Sequence, residues 1–201
     1  AAAAAWLVRA ARGAGDERLA RHCAERAGLI AQVSWGYRSL RAAALHAEGL
    51  DAIVCNAGYG LYGEIDRVTP EQMHAIMDVN FFGTFNAARA ALPVFRKQGR
   101  GHTIIISSIV GQRGIPFMGP YSATKFAQVG LAECLRAELA GSGLHVSVVY
   151  PISTETEFFN VMIRNSGFAT RAHGPRQSPD RVADAVAAAL RRPVPEVYPH
   201  R

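Results

Sequence analysis

Tyr121 and Lys125 are the residues of this sequence best suited to move a proton together. They lie four apart at the start of a stretch with helical character, so both side chains emerge on one helix face. The chain carries 20 arginines but only two lysines, Lys97 and Lys125. A lysine one turn from a tyrosine is therefore not a by-product of basic composition. Arginine keeps its proton, whereas lysine is a compact charge that can sit beside a phenol and still give a proton up. A free phenol has a pKa of about 10 and is a poor base at neutral pH. An ammonium ~4 Å away, at an effective dielectric of ~20, contributes up to about 4 kcal/mol. That corresponds at most to roughly three pH units, enough to bring the phenol near 7, with desolvation working against it.

Ser108 precedes Tyr121 across a loop rich in glycine and proline, Gly111–Pro120. Its hydroxyl is placed to hydrogen-bond the substrate oxygen that Tyr121 protonates. Asn80, in Val79-Asn80-Phe81-Phe82-Gly83, falls mid-helix, where a buried amide is costly unless paired. Taken singly, each has a plainer reading: a strand-end serine that caps a turn, and a satisfied core amide.

The elements that must position these groups follow an alternating pattern. Asp51–Cys55 reads as a buried strand running into a loop at Asn56-Ala57-Gly58. Thr69, Pro70 and Glu71 open a helix as cap, first position and acidic first turn, and the helix extends to about Phe95. Thr103–Ile106 is the next strand, and Pro120 primes a helix over Tyr121–Ala140 that Gly141-Ser142-Gly143 ends. His145–Tyr150 is a further strand closed by Pro151, Phe158–Pro175 is irregular, and Ser178–Leu190 is an amphipathic helix. Strands apolar on both faces and separated by helices imply a parallel sheet covered on both sides.

In order and spacing, Asn56-Ala57-Gly58, Asn80, Ser108, Tyr121-Ser122-Ala123-Thr124-Lys125 and Pro151 with Thr156 resemble the short-chain dehydrogenase/reductase signature, over about residues 50–160. The resemblance implies a Rossmann-type three-layer α/β/α fold, a doubly wound and mostly parallel sheet in a single domain over residues 1–201. It implies a tetrad: Tyr121 as acid/base, Lys125 lowering its pKa and holding the nicotinamide ribose, Ser108 orienting substrate, and Asn80 positioning a relay water. It further implies that the Asn56–Gly58 loop supports the cofactor, that Pro151–Thr156 meets the nicotinamide carboxamide, and that the chain forms a homodimer or homotetramer through its two long helices.

The N-terminal third departs from the family pattern. Val8-Arg9-Ala10-Ala11-Arg12-Gly13-Ala14-Gly15 keeps the last two glycines of the phosphate-cradling turn, Gly13 and Gly15, while Val8 and Arg9 stand where the family has Thr and the first Gly. Cys55 and Ile152 replace a common asparagine and glycine. Arg12, beside Gly13, is expected to meet a 2′-phosphate. Ser34 and Trp35 follow a second strand at about Leu29–Val33, with Arg38 beyond and no acid there to hold a ribose 2′-hydroxyl. The cofactor expected is therefore NADP(H) in preference to NAD(H). Between that strand and Asp51 only Trp35–Leu50 remain, too few for two crossovers and a third strand. Either the sheet is reduced or the natural chain exceeds these 201 residues; the latter is the expectation.

Composition excludes several other classes. The net charge is +6, but the arginines are scattered and form no basic stripe for nucleic acid. No apolar run approaches the ~20 residues that span a bilayer, and Ala1–Val8 lacks the basic lead of a signal peptide. Cys23, Cys55 and Cys134 form no CxxC pair, so neither a disulfide framework nor a thiolate metal site is expected, and the cytoplasm is. Ile115, Phe117 and Met118, with Phe158–Phe168 as a lid, point to an apolar, medium-sized carbonyl or alcohol substrate. The rival reading is a non-catalytic dinucleotide-binding sensor or interaction protein of the same fold, which the altered glycine turn favours and the Tyr121–Lys125 pair opposes.

Overall fold

A computed structural model describes residues 50–166 and 176–200. Arg12, Gly13, Gly15, the second strand with Ser34, Trp35 and Arg38, and the end of the expected lid lie outside the described residues.

Within them the chain runs as β1 (Ala52–Cys55), α1 (Pro70–Met77), a π-helical segment (Asp78–Phe82), α2 (Gly83–Gln98), β2 (Gly101–Ile106), α3 (Gly119–Glu138), β3 (Leu144–Val149), α4 (Phe158–Ser166), α5 (Pro179–Arg191) and β4 (Glu196–Val197). The four strands form one sheet in the order β1-β2-β3-β4, and every neighbouring pair is parallel. Parallel neighbours need crossover helices, and each helix returns the chain to the amino end of the sheet.

Side-chain alternation along the strands divides the core in two. Ile53, Cys55, Ile105, Val146 and Val148 face α2 and α3, where Ala87, Ala88, Ala91, Phe95, Ala132 and Leu135 cover them. Val54, Ile104, Ile106 and Val149 face the other way, against Val182, Val186 and Ala189 of α5. The result is helix, parallel sheet, helix: a Rossmann-like three-layer α/β/α arrangement.

Local chemistry sets the element ends. Thr69 Oγ1 accepts from Gln72 N at 3.2 Å while Gln72 Oε1 accepts from Thr69 N at 3.0 Å, a reciprocal cap that starts α1. Gly99 caps α2 in the left-handed region at φ 69°, so that the helix ends at Gln98, three residues beyond the predicted end at Phe95. Ser178 caps α5 through Arg181 N, as expected.

Three features depart from the sequence reading. The long helix is interrupted at Asp78–Phe82, where Gly83 N–H reaches back five residues to Asp78 O. The segment expected to be irregular begins with α4, because Phe158 and Met162, four apart, find a common apolar surface. Strand β4, two residues long, was not foreseen.

Candidate active site

The carboxyl ends of β1, β2 and β3 open into loops at residues 56–58, 107–118 and 151–157, and α3 begins beside them. Crevices of this kind, outside the carboxyl ends of parallel strands, are where open α/β sheets bind ligands. Asn56 and Gly58 are exposed there, with Ala57 half-buried between them.

Tyr121 and Lys125 project from the first turns of α3, and both are buried. Lys125 Nζ lies 5.6 Å from the Tyr121 ring centroid. It donates to Ile106 O at 2.8 Å and to Gln128 Oε1 at 3.1 Å. Burial lowers the Lys125 pKa to about 7. Tyr121 behaves oppositely: burial raises its pKa well above the ordinary phenol value, and the Ser108 hydroxyl is the influence that opposes the rise. The downward pull expected from Lys125 is therefore not the dominant force on this phenol. Desolvation outweighs it, and the ammonium is drawn toward a carbonyl and an amide.

Ser108 does two jobs. Its Oγ accepts from Val110 N at 3.2 Å, capping a turn of 3-10 helix at Ile109–Gly111, and donates to Pro151 O at 3.5 Å. The plain reading as a turn cap holds, and the same hydroxyl lies close enough to the Tyr121 phenol to influence it. The neighbouring Ser107 points away and donates to Lys125 O.

Asn80, fully buried in the π-helical segment, is saturated. Its Nδ2 donates to Tyr59 O and to Thr124 Oγ1, each at 3.0 Å, and its Oδ1 accepts from Tyr59 N at 3.0 Å. Its carbonyl accepts from Thr84 Oγ1 at 2.9 Å and from Gln128 Nε2 at 2.7 Å. Both donors to that carbonyl are side chains of neighbouring helices. Gln128 escaped the sequence reading, although its spacing from Tyr121 and Lys125 places it on their helix face.

The Pro151–Thr156 loop is tied to both neighbours. Pro151 O accepts from Ile109 N, and Ser153 O and Glu155 N bond the backbone of Gln177. Thr156 is exposed and its Oγ1 accepts from Phe158 N at 3.3 Å, at the start of α4. Gln177 is buried, with Nε2 on Thr154 Oγ1 and Oε1 without a partner among the described residues.

Apolar residues wall the phenol. Tyr121 packs with Leu61, Ile76, Val110, Ile109, Met118 and Phe158. The Phe158 ring tilts against the Tyr121 ring at 5.3 Å. A Cβ at Gly60 would stand 2.8 Å from Phe158 Cζ and 2.7 Å from Met162 Sδ, so that glycine admits α4. Ser166 Oγ accepts from Tyr62 N at 2.8 Å and pins the other end of α4. Met118 lies in this wall, whereas Ile115 and Phe117 are exposed.

The residues present fit a nicotinamide dinucleotide. Gly58 leaves a cradle, since a Cβ there would stand 3.0 Å from Asn80 Oδ1 and 3.8 Å from Lys125 Nζ. The Lys125 ammonium has one proton beyond the two it uses, suited to a ribose hydroxyl. The orphaned Gln177 Oε1 suits an amide donor such as a carboxamide. Among the described residues no group of three His, Cys, Asp or Glu could hold a metal, and no helix is long and apolar enough to cross a membrane.

The family model for short chain dehydrogenase matches residues 31–166. The chain belongs to the short-chain dehydrogenase family. It is 42% identical over 109 residues to 3-ketodihydrosphingosine reductase of Bacteroides thetaiotaomicron, covering 54% of this chain and 40% of that protein. It is 30% identical over 166 residues to human 17-beta-hydroxysteroid dehydrogenase type 1, covering 73% and 51%. A short-chain dehydrogenase from Burkholderia cenocepacia, solved in complex with NADP, superposes with a TM-score of 0.69 at 32% identity, covering 83% of this chain and 65% of that one. The chain spans about half the length of the curated relatives it matches.

Proposed function

We propose that this protein transfers hydride between a nicotinamide cofactor and a carbonyl or secondary alcohol, with Tyr121 handling the proton. The observation that carries the reading is the convergence on the Tyr121 phenol of the Ser108 hydroxyl and, under its ring, the Lys125 ammonium. The phenol is in the protonated form that can donate to an oxygen gaining negative charge, and the Ser108 hydroxyl opposes the burial that weakens it as an acid. Ser108 shares that oxygen through its hydroxyl. Lys125 holds its charge beneath the ring and offers its remaining proton to a cofactor hydroxyl. When bound, the dinucleotide supplies or accepts the hydride. A sensor would need no buried acid beside a buried base, and that favours the enzyme.

The substrate class is apolar and of medium size. The wall around Tyr121, with Phe158 against its ring, supports this. So do relatives named for ketodihydrosphingosine, hydroxysteroids and retinol. NADP(H) is the preferred cofactor, supported by Arg12, by the lack of an acid at Ser34 and Trp35, and by the NADP bound in the Burkholderia relative. Exposed Val79, Phe82, Phe85 and Phe126 on the long helices suit pairing with a second copy. Unbridged Cys55 and Cys134 suit a reducing compartment such as the cytoplasm.

A panel of apolar ketones and secondary alcohols with each cofactor, followed by nicotinamide absorbance, tests the reading. Turnover confined to small charged keto acids would remove the apolar pocket, and a higher specificity constant with NAD would reverse the cofactor assignment. No turnover with any member would sink the enzyme.

A further inference from the structure

Gln128 is fully buried on α3 and spends every polar atom of its side chain. Its Oε1 accepts from Lys125 Nζ at 3.1 Å. Its Nε2 donates to Asn80 O at 2.7 Å and to Thr84 Oγ1 at 2.8 Å. The orientation of the amide follows from its partners: turned over, it would present its NH2 to an ammonium and its oxygen to a carbonyl. A buried amide is tolerated only when paired in this way.

These bonds join two parts of the fold. Asn80 and Thr84 belong to the π-helical segment and α2, packed across from α3. Asn80 in turn clamps the backbone of Tyr59, at the mouth of the loop after β1, and meets Thr124, whose hydroxyl donates to Tyr121 O at 2.7 Å. Remove Gln128 and the Lys125 ammonium keeps one acceptor, Ile106 O. The four-carbon stem of lysine has rotamer freedom enough to swing once a restraint is lost.

We propose that Gln128 is a positioning residue: its amide links the Asn80 carbonyl to the Lys125 ammonium and holds that ammonium beneath the Tyr121 ring. The inference rests on reading Tyr121 and Lys125 as the proton-handling pair. On the facing elements, burial raises the Tyr59 pKa and Asp78 adds to the rise, and burial is what moves Lys125. The acceptor Oε1 opposes that burial by stabilising the charged form.

The chain has two lysines, Lys97 and Lys125, so lysine labelled with ¹³C at the ε position gives two signals, assigned with Lys97→Arg. Titrating the folded full chain reads the Lys125 midpoint without substrate or cofactor. Gln128→Leu removes the acceptor, and the midpoint should fall by about one pH unit, the usual worth of a hydrogen bond to a charge. Gln128→Glu, nearly the same in shape, places a carboxylate on the ammonium, and the midpoint should rise by about one unit or more. If Gln128→Leu fails to fold, Gln128→Glu alone decides. A folded variant whose Lys125 midpoint matches the wild type overturns the proposal. The parallel activity assay separates the two claims. Shifted midpoints with a fully active Tyr121→Phe would leave Gln128 in place and remove Tyr121 as the proton-handling group. Unmoved midpoints with an inactive Tyr121→Phe would do the reverse.

Discussion

Strand β2 has a buried base near each end, and the two have opposite fates. At the amino end His102 is buried, with Nε2 on Ser147 Oγ at 2.8 Å and the His145 ring 5.9 Å away. Burial, helped by His145, lowers its pKa to about 4. At the carboxyl end Lys125 sits on Ile106 O, and burial lowers its pKa to about 7. The push is similar and the starting points differ. Histidine begins at 6.5 and is driven out of the working range; lysine begins at 10.5 and is driven into it. The same desolvation thus silences one end of the strand and arms the other.

The sharpest test of the armed end is Tyr121→Phe. The ring and its packing stay while the proton goes, so turnover should fall by about 10²–10⁴-fold with cofactor affinity retained. Lys125→Arg should fall by about 10²-fold or more, because a planar fork cannot occupy the site of an ammonium that reaches both Ile106 O and Gln128 Oε1. Steady-state kinetics with a fluorescence titration of NADPH separates turnover from binding. Near-normal turnover in Tyr121→Phe would leave the two ends of β2 functionally alike.

How much of this contrast was legible before the structure depends on how local its causes are. Thr69-Pro70 and Ser178-Pro179 announce helices α1 and α5 because a cap is decided by its own few residues. Tyr121 and Lys125 were visible because one helix turn sets their spacing. The π-helical segment was not, because Asn80 is held by Tyr59, Thr124 and Gln128, partners 21, 44 and 48 residues away. Gln128 was hidden for the same reason: nothing adjacent to it says that a carbonyl across the helix pair awaits its amide. Helix α4 depends on Gly60, far earlier in the chain, leaving room for Phe158 and Met162. Strand β4 is two residues long, too short for any alternation to show. The size of the burial effect on Tyr121 was hidden for a related reason, since spacing gives proximity but not how much water is lost.

The silenced end makes its own prediction for stability. In the unfolded chain His102 takes up a proton near pH 6.5, and in the folded protein only near 4. Between those values the unfolded state binds the extra proton, so stability present above pH 6.5 is lost as pH falls toward 4. The loss amounts to about 3 kcal/mol over that window. His102→Gln keeps a donor for Ser147 and cannot titrate. Urea midpoints at pH 7 and pH 4.5 should draw together in that variant relative to wild type. An unchanged acid sensitivity would mean that His102 is not the group the fold keeps neutral.

Two glycines bring the comparison down to single methyl groups. Gly101 begins β2 at the silenced end, and a Cβ there would stand 2.1 Å from Phe95 Cγ. The Phe95 ring is enclosed by the core between α2 and the sheet and has nowhere to go. Gly101→Ala should cost about 1–3 kcal/mol in urea denaturation, the usual range for an overpacked core. It touches no group of the site, so activity per folded molecule should hold. Gly58 lies at the armed end, where a Cβ would stand 3.0 Å from Asn80 Oδ1 and 3.8 Å from Lys125 Nζ. The neighbours here are side-chain tips beside an exposed loop residue and can shift by a few tenths of an ångström, so Gly58→Ala should lose less than about 1 kcal/mol of stability. The same shift moves the Asn80 amide and narrows the cradle beside Lys125, and kcat/KM should fall by about tenfold. That is roughly 1.4 kcal/mol of transition-state stabilisation lost. The two variants should therefore trade places between the denaturation and kinetic measurements. Equal losses in both assays for both glycines would show that the two ends are not separable, and that the site draws on the packing of the whole sheet.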